Sequence, residues 1–169
     1  WTGEWTLAVM QRLRGPYLLE VVNPHSDTAA DLRRWTALLR ARRREESVGA
    51  VAADDAHTPR QIDQAWIMVK VEGISAEDLR TALTGLAFYA TTGPRVNLGV
   101  DDGAVRCAGA AVQDVTFIDR QGRVRAEVRG PEAVYRPAGA EEFIRIEAHD
   151  GAGGRAWSQP FWIDTERSD

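Results

Sequence analysis

Apolar residues in the first part of the chain alternate between strand-like and helix-like patterns. Residues 17–23 and 47–53 are short, nearly continuous apolar runs, which are typical of strands covered on both faces. Between these runs, Leu32, Trp35 and Leu39 recur at helical spacing, opposite an arginine-rich face. A strand, a helix and a strand in this order predict a parallel βαβ unit.

The pattern changes near residues 92–94. Before this point, another apolar run at residues 65–71 predicts a strand, and Ser75 with Asp78 marks the start of a short helix. Beyond it, short alternating runs are separated by turns that contain glycine. These runs predict strands at residues 96–100, 104–107, 112–118, 124–128, 133–135, 143–148 and 156–163. The sequence therefore predicts an α/β part at residues 1–92 and a small all-β, antiparallel sandwich-like part at residues 93–169.

Charge and composition narrow the classes of partner. With 21 Lys and Arg against 25 Asp and Glu, the net charge of −4 does not favour nucleic acid, and no apolar run approaches the roughly 18 residues of a membrane span. The single cysteine, Cys107, excludes an internal disulfide and cysteine-based zinc sites, and we interpret it as a buried thiol. The chain begins at Trp1, without an initiator methionine and without a signal-like segment. We therefore expect it to be a piece of a longer, cytoplasmic product, and an upstream targeting signal stays open.

Asp55 and His57 form the most informative pattern of chemically active residues. Two residues apart at the end of an extended segment, they project to the same side and can share one cation. The alternative is an ordinary turn with an exposed histidine. Glu20 interrupts the first apolar run, and a carboxylate in a buried strand needs a metal, an arginine or another partner. His25 follows the same run and either lines a site or is an exposed loop residue, whereas His149 is expected in solvent.

Several segments resemble the C-terminal part of the PHP (polymerase and histidinol phosphatase) family of metal-dependent phosphoesterases, in particular members with a β-rich extension. The two most specific are Asp54-Asp55-Ala56-His57 and Phe88-Tyr89-Ala90-Thr91-Thr92-Gly93-Pro94. The others are Leu19-Glu20-Val21-Val22-Asn23, the helix around Trp35 to Leu39, Trp66-Ile67-Met68-Val69, the stretch from Leu79 to Gly85, and the run from Arg155 to Trp162. Together the matching segments cover nearly the whole chain.

The resemblance implies a distorted (β/α)7 barrel, of which residues 1–92 would be the last strands and helices. It implies divalent cations (Zn, Mn, Fe or Mg), with Asp55 and His57 matching the last ligand motif. Glu20 and Asn23 match a strand that lines the same pocket. Together with His25 and Asp54, they are candidates either for contact with the substrate or for positions behind the metal ligands, where they would support them. The implied activity is hydrolysis of small-molecule phosphate esters by a water molecule that the metal activates.

The chain also departs from the family pattern. The family's opening His-x-His pair and its further ligands do not occur here, so we expect an incomplete and inactive catalytic centre in this chain. A truncated barrel would expose unpaired strand edges, so we expect self-association or aggregation. The competing hypothesis is a non-catalytic module for binding or assembly.

Overall fold

The computed structural model describes residues 5–163. Within them the chain forms three α-helices, α1 (Leu7–Met10), α2 (Thr28–Ala41) and α3 (Ala76–Thr84). The strands are β1 (Tyr17–Val22), β2 (Val48–Ala52), β3 (Trp66–Val69), β4 (Phe88–Thr91), β5 (Asn97–Asp101), β6 (Ala104–Ala108), β7 (Val112–Asp119), β8 (Val124–Arg129), β9 (Glu132–Tyr135), β10 (Phe143–Asp150), β11 (Arg155–Ser158) and β12 (Phe161–Trp162).

The helices begin where short polar side chains cap them. In α2 the Asp27 side chain accepts a hydrogen bond from the Ala30 N–H at 3.0 Å. In α3 the capping box of Ser75 and Asp78 is confirmed. None of the helices in the described part of the chain is both long and apolar enough to cross a bilayer.

The strands form three sheets. β1 and β2 are parallel, with Tyr17 opposite Val48 and Val22 opposite Ala52, and a bulge interrupts the register between Glu20 and Val22. A seven-stranded antiparallel sheet has the order β3-β4-β11-β10-β7-β8, and β12 also pairs with β10. The third sheet is antiparallel, with the order β5-β6-β9.

The prediction of the last βα units of a (β/α)7 barrel is wrong. β3 does not extend the parallel pair but runs antiparallel to β4, which in turn pairs with β11 from the end of the chain. An apolar run such as residues 65–71 indicates that a strand is buried, but it does not indicate the direction of the neighbouring strands. For this reason the prediction that β3 continues a parallel sheet was wrong. Antiparallel strands are present beyond residue 93, as expected. Of these, β7, β8, β10, β11 and β12 share a sheet with β3 and β4, whereas β5, β6 and β9 form a separate sheet.

The large sheet is covered on both faces. One face places Phe143 and Trp157 in a core shared with α2, β1 and β2. The opposite face places Ile144 and Ala156 in a second core shared with β6 and β9. Neighbouring residues point to opposite faces because side chains alternate along a strand. The molecule is therefore layered, with the large sheet in the middle.

Candidate metal centre

Two loops meet at the carboxyl ends of the parallel strands β1 and β2. Because the strands run in the same direction, the residues that follow Val22 and Ala52 emerge at the same edge, where the Ala53 N–H donates to the Val22 carbonyl at 3.0 Å. His25 lies in the first loop, and Asp55 and His57 lie in the second. The chain thus brings together residues that are some 30 positions apart.

One potential ligand atom from each of His25, Asp55 and His57 lies within 4.8 Å of the other two. Within residues 5–163 this is the one group of three such side chains close enough to share a cation. All three are exposed, and the two imidazole rings are 6.3 Å apart in an edge-on arrangement. Two imidazoles and one carboxylate form a donor set that proteins use for zinc and for iron, with further coordination positions left open.

His57 is oriented with one ring nitrogen free. Its Nδ1 lies 2.7 Å from the backbone oxygen of Asp55, and because a carbonyl can only accept, Nδ1 carries the proton. The lone pair therefore lies on Nε2, as in metal-binding histidines whose other nitrogen donates to a carbonyl. The backbone of Asp55 has a φ of 48°, a left-handed conformation that aspartate tolerates better than most residues.

Gln61 links the two loops and was missed by the sequence analysis. Its Oε1 accepts hydrogen bonds from the backbone N–H groups of His57 and Thr58, at 2.9 and 2.8 Å. This fixes the amide orientation, so Nε2 donates to Nε2 of His25 at 2.9 Å. The signal was present in the sequence, because Thr58-Pro59-Arg60-Gln61 has the spacing of a capping box, which the structure contains.

Asp54 closes the loop between β2 and β3. Its two carboxylate oxygens accept from the backbone N–H groups of Asp63, Gln64 and Ala65 at 2.6–2.8 Å. The bond from Ala65, followed by those from Asp63 and Gln64, lowers the pKa of Asp54. A contact of Asp54 with substrate stays a prediction; in this structure its carboxylate holds the backbone behind the cluster.

The positions of Glu20 and Asn23 also differ from the sequence prediction. Glu20 is exposed, so the prediction of a buried carboxylate is wrong. The parallel pair is covered on one face only, and Leu18 and Glu20 point to the other face. The bulge after Glu20 breaks the strict alternation, and the Asn23 amide donates to Glu20 at 2.8 Å. The side-chain Oδ1 of Asn23 accepts a hydrogen bond from the His25 backbone N–H at 2.7 Å, and this contact fixes the first loop.

The remaining candidates lie elsewhere. His149 lies in β10, half-buried, and is not a member of the cluster. Cys107 is buried in β6, and burial raises the pKa of its thiol to about 11, which suits a structural residue and not a nucleophile.

Comparison of the chain with protein-family models, with curated proteins and with solved structures finds no match.

Proposed function

We propose that this chain carries part of a divalent-metal site for the hydrolysis of phosphate esters. The observation that supports the proposal is the convergence of His25, Asp55 and His57 at the carboxyl ends of β1 and β2. The phosphate-ester class comes from the resemblance of residues 54–57 and 88–94 to PHP-type phosphoesterases. The cations considered are Zn, Mn, Fe and Mg, and two imidazoles among three ligands favour the transition metals over Mg.

The donor set fits such a cation. His57 would bind through Nε2 and Asp55 through its carboxylate, and His25 would bind through Nε2 once the Gln61 amide, which donates to that nitrogen, moves away; the exposure of all three leaves a substrate free access. When bound, the cation would supply Lewis acidity toward a phosphate oxygen and a lowered pKa for a water molecule. Three ligands are fewer than a two-metal clamp needs, so we expect weak binding of one cation and no turnover by this chain alone.

Calorimetric titration of tag-free protein with Zn²⁺ and Mn²⁺ tests the site. We expect one equivalent of cation in the wild type and a loss of affinity of about tenfold or more in Asp55→Ala and His57→Ala, because each variant removes one of three ligands. His149→Ala is the matched control, since it removes a histidine outside the cluster. Equal affinity in the wild type and in His57→Ala would overturn the proposal.

A phosphomonoesterase assay tests the reaction class. It is applied to the longest in-frame product of the coding sequence that contains these residues, because we expect this chain alone to be inactive. Turnover that is lost in Asp55→Ala and kept in His149→Ala supports the proposal. A metal-loaded product that hydrolyses no phosphate ester contradicts it, as does a stop codon directly before Trp1.

A second candidate function is a non-catalytic module for binding or assembly. It is favoured by the outer edge of β1, which pairs with no strand among residues 5–163. Such edges are templates for another chain. A chain that binds no cation and self-associates through β1 would support this alternative over hydrolysis.

A further inference from the structure

A large groove lies away from the metal-centre cluster. It has a volume of about 1120 Å³ and runs between the β3–α3–β4 segment, the β5–β6 hairpin and residues 158–162. Ser47, which directly precedes β2, lines the groove, whereas the cluster follows the other end of β2. A strand of this length separates the two places by roughly 15–20 Å. The groove is therefore a separate feature from the metal-centre cluster.

The charge of the groove is opposite to that of the chain. Arg44, Lys70 and Arg95 line it, and among residues 5–163 no Asp or Glu does, although the full chain has 25 acidic residues and a net charge of −4. Lys70 and Arg95 are exposed and have no ion-pair partner in the described part of the chain. A concave surface that carries two such cations attracts anions.

The groove also has apolar walls. Phe88 is buried, and Leu86 packs close to Gly49 of β2. The apolar side chains that line the groove include Met68, Leu86, Phe88, Leu98, Phe161 and Trp162. Its volume is slightly above the usual range of small-molecule sites, which combine apolar side chains with a few placed polar groups.

A buried hydroxyl supplies an independent observation. Ser47 lines the groove and is only 5% exposed, and its Oγ forms no hydrogen bond with any part of the described chain. Buried hydroxyls without a partner are costly and uncommon, so each such group calls for an explanation. A bound ligand with a polar headgroup would satisfy Ser47.

We propose that this groove binds a small amphipathic anion, with one acidic headgroup attached to an apolar body. Lys70 and Arg95 hold the headgroup, because both are exposed cations without an ion-pair partner within residues 5–163, and the unpartnered Ser47 hydroxyl donates a hydrogen bond to it. Met68, Leu86 and Trp162 are among the side chains that contact the apolar body. This site is separate from the metal centre and does not depend on the proposed phosphoesterase activity.

Displacement of the fluorescent aryl anion anilinonaphthalene sulfonate by dodecanoate tests the proposal on the whole chain. We expect saturable binding of one dodecanoate, and binding of dodecanol, which has the same chain without the charge, that is about tenfold weaker. Lys70→Met and Arg95→Met should each lower the affinity for dodecanoate several-fold and leave that for dodecanol unchanged. Arg129→Met, which removes an exposed arginine of β8, is the matched control.

Ser47→Ala separates ligand binding from folding. Removal of an unsatisfied hydroxyl should leave the thermal midpoint equal or higher, while the affinity for dodecanoate falls. Failure of dodecanoate to displace the dye, or equal affinity in the wild type and in the Lys70→Met/Arg95→Met double variant, overturns the proposal. So does a concentration-dependent dimer of Leu18→Lys, a variant in which pairing through the β1 edge is opposed, if dodecanoate does not dissociate it, because a second copy would then be the occupant of the groove.

Discussion

At the residue scale, Gln61 links the two loops of the candidate metal centre. Its amide oxygen holds the backbone of His57, and its amide nitrogen donates to His25. Groups that orient metal ligands typically change affinity by about 10–100-fold when they are removed. Gln61 orients the His57 backbone in this sense, whereas its bond to His25 uses the lone pair that a cation would need, so the two contacts act in opposite directions on cation binding.

Two substitutions of Gln61 should act in opposite directions. Gln61→Ala removes the bonds that hold the His57 and Thr58 backbone, and although it also frees Nε2 of His25, we expect the loosened loop to weaken Zn²⁺ binding about tenfold. Gln61→Glu keeps the acceptor toward the backbone and places a carboxylate next to His25, so the affinity should rise above that of the wild type, because a fourth and anionic donor is added. Calorimetry measures both, with Gln64→Ala in the same loop as the control. Unchanged affinity in Gln61→Ala would refute this role.

The same residue shows what the sequence could and could not reveal about the site. Asp55 and His57 could be found because they are two positions apart on one segment. Gln61 could have been found from its capping box, but its contact with His25 depends on two loops meeting in space. Glu20 was misjudged because a continuous apolar run does not show whether one face or both faces of a strand are covered.

At the element scale, α2 is held against the parallel pair by Trp35. This side chain is fully buried, and its indole N–H donates to the Val48 carbonyl at 2.7 Å. Trp35→Ala should lower the free energy of unfolding by about 3–5 kcal/mol, because a large cavity opens and a hydrogen bond is lost. Urea denaturation measures the change. Trp5→Ala, at a position that is 57% exposed, serves as the control and should have little effect.

The start of α3 should be sensitive to acid. Hydrogen bonds from the Ser75 hydroxyl, and then from the Ser75 backbone, lower the pKa of Asp78 below its ordinary value of 3.8. A carboxyl whose pKa is lower in the folded state stabilises that state above its unfolded pKa, and this contribution is lost as the pH falls through the folded value. The protection of α3 amides from exchange, relative to an unfolded peptide at the same pH, should therefore fall below about pH 4 in the wild type. In Asp78→Ala this protection should be low at every pH, and a wild type whose protection does not change with acid would contradict the prediction.

The helices and most strands follow from local patterns, but the arrangement of the strands does not. The helical spacing of Leu32, Trp35 and Leu39 correctly indicated α2, and the capping box of Ser75 and Asp78 correctly indicated the start of α3. β4 has four residues and no polar alternation, so its pattern shows neither its presence nor its partners. Its neighbours β3 and β11 lie on opposite sides of it in the sequence, and only the tertiary structure pairs them.

At the scale of the whole molecule, the parallel pair leaves one strand edge open. β1 has an unpaired outer edge among residues 5–163, and Leu18 on that strand is 41% exposed. We expect the chain to self-associate through this edge as its concentration rises, and Leu18→Lys to reduce the association, because charge on an edge strand opposes pairing. Light scattering with Ile74→Lys as the control tests this, since Ile74 is 95% exposed outside any strand. A wild type that stays monomeric at high concentration would contradict it.

The pairing of β4 with β11 also determines when the molecule can complete its folding. Ala90 lies opposite Trp157, so a strand from the middle of the chain must wait for one near its end. Contacts between distant segments cost loop-closure entropy and slow folding. During synthesis, β3 and β4 would leave the ribosome as an isolated antiparallel pair joined through α3, and this pair gains its neighbour only after residues 155–158 emerge. Chaperone binding to nascent chains should accordingly persist until that stretch has cleared the exit tunnel.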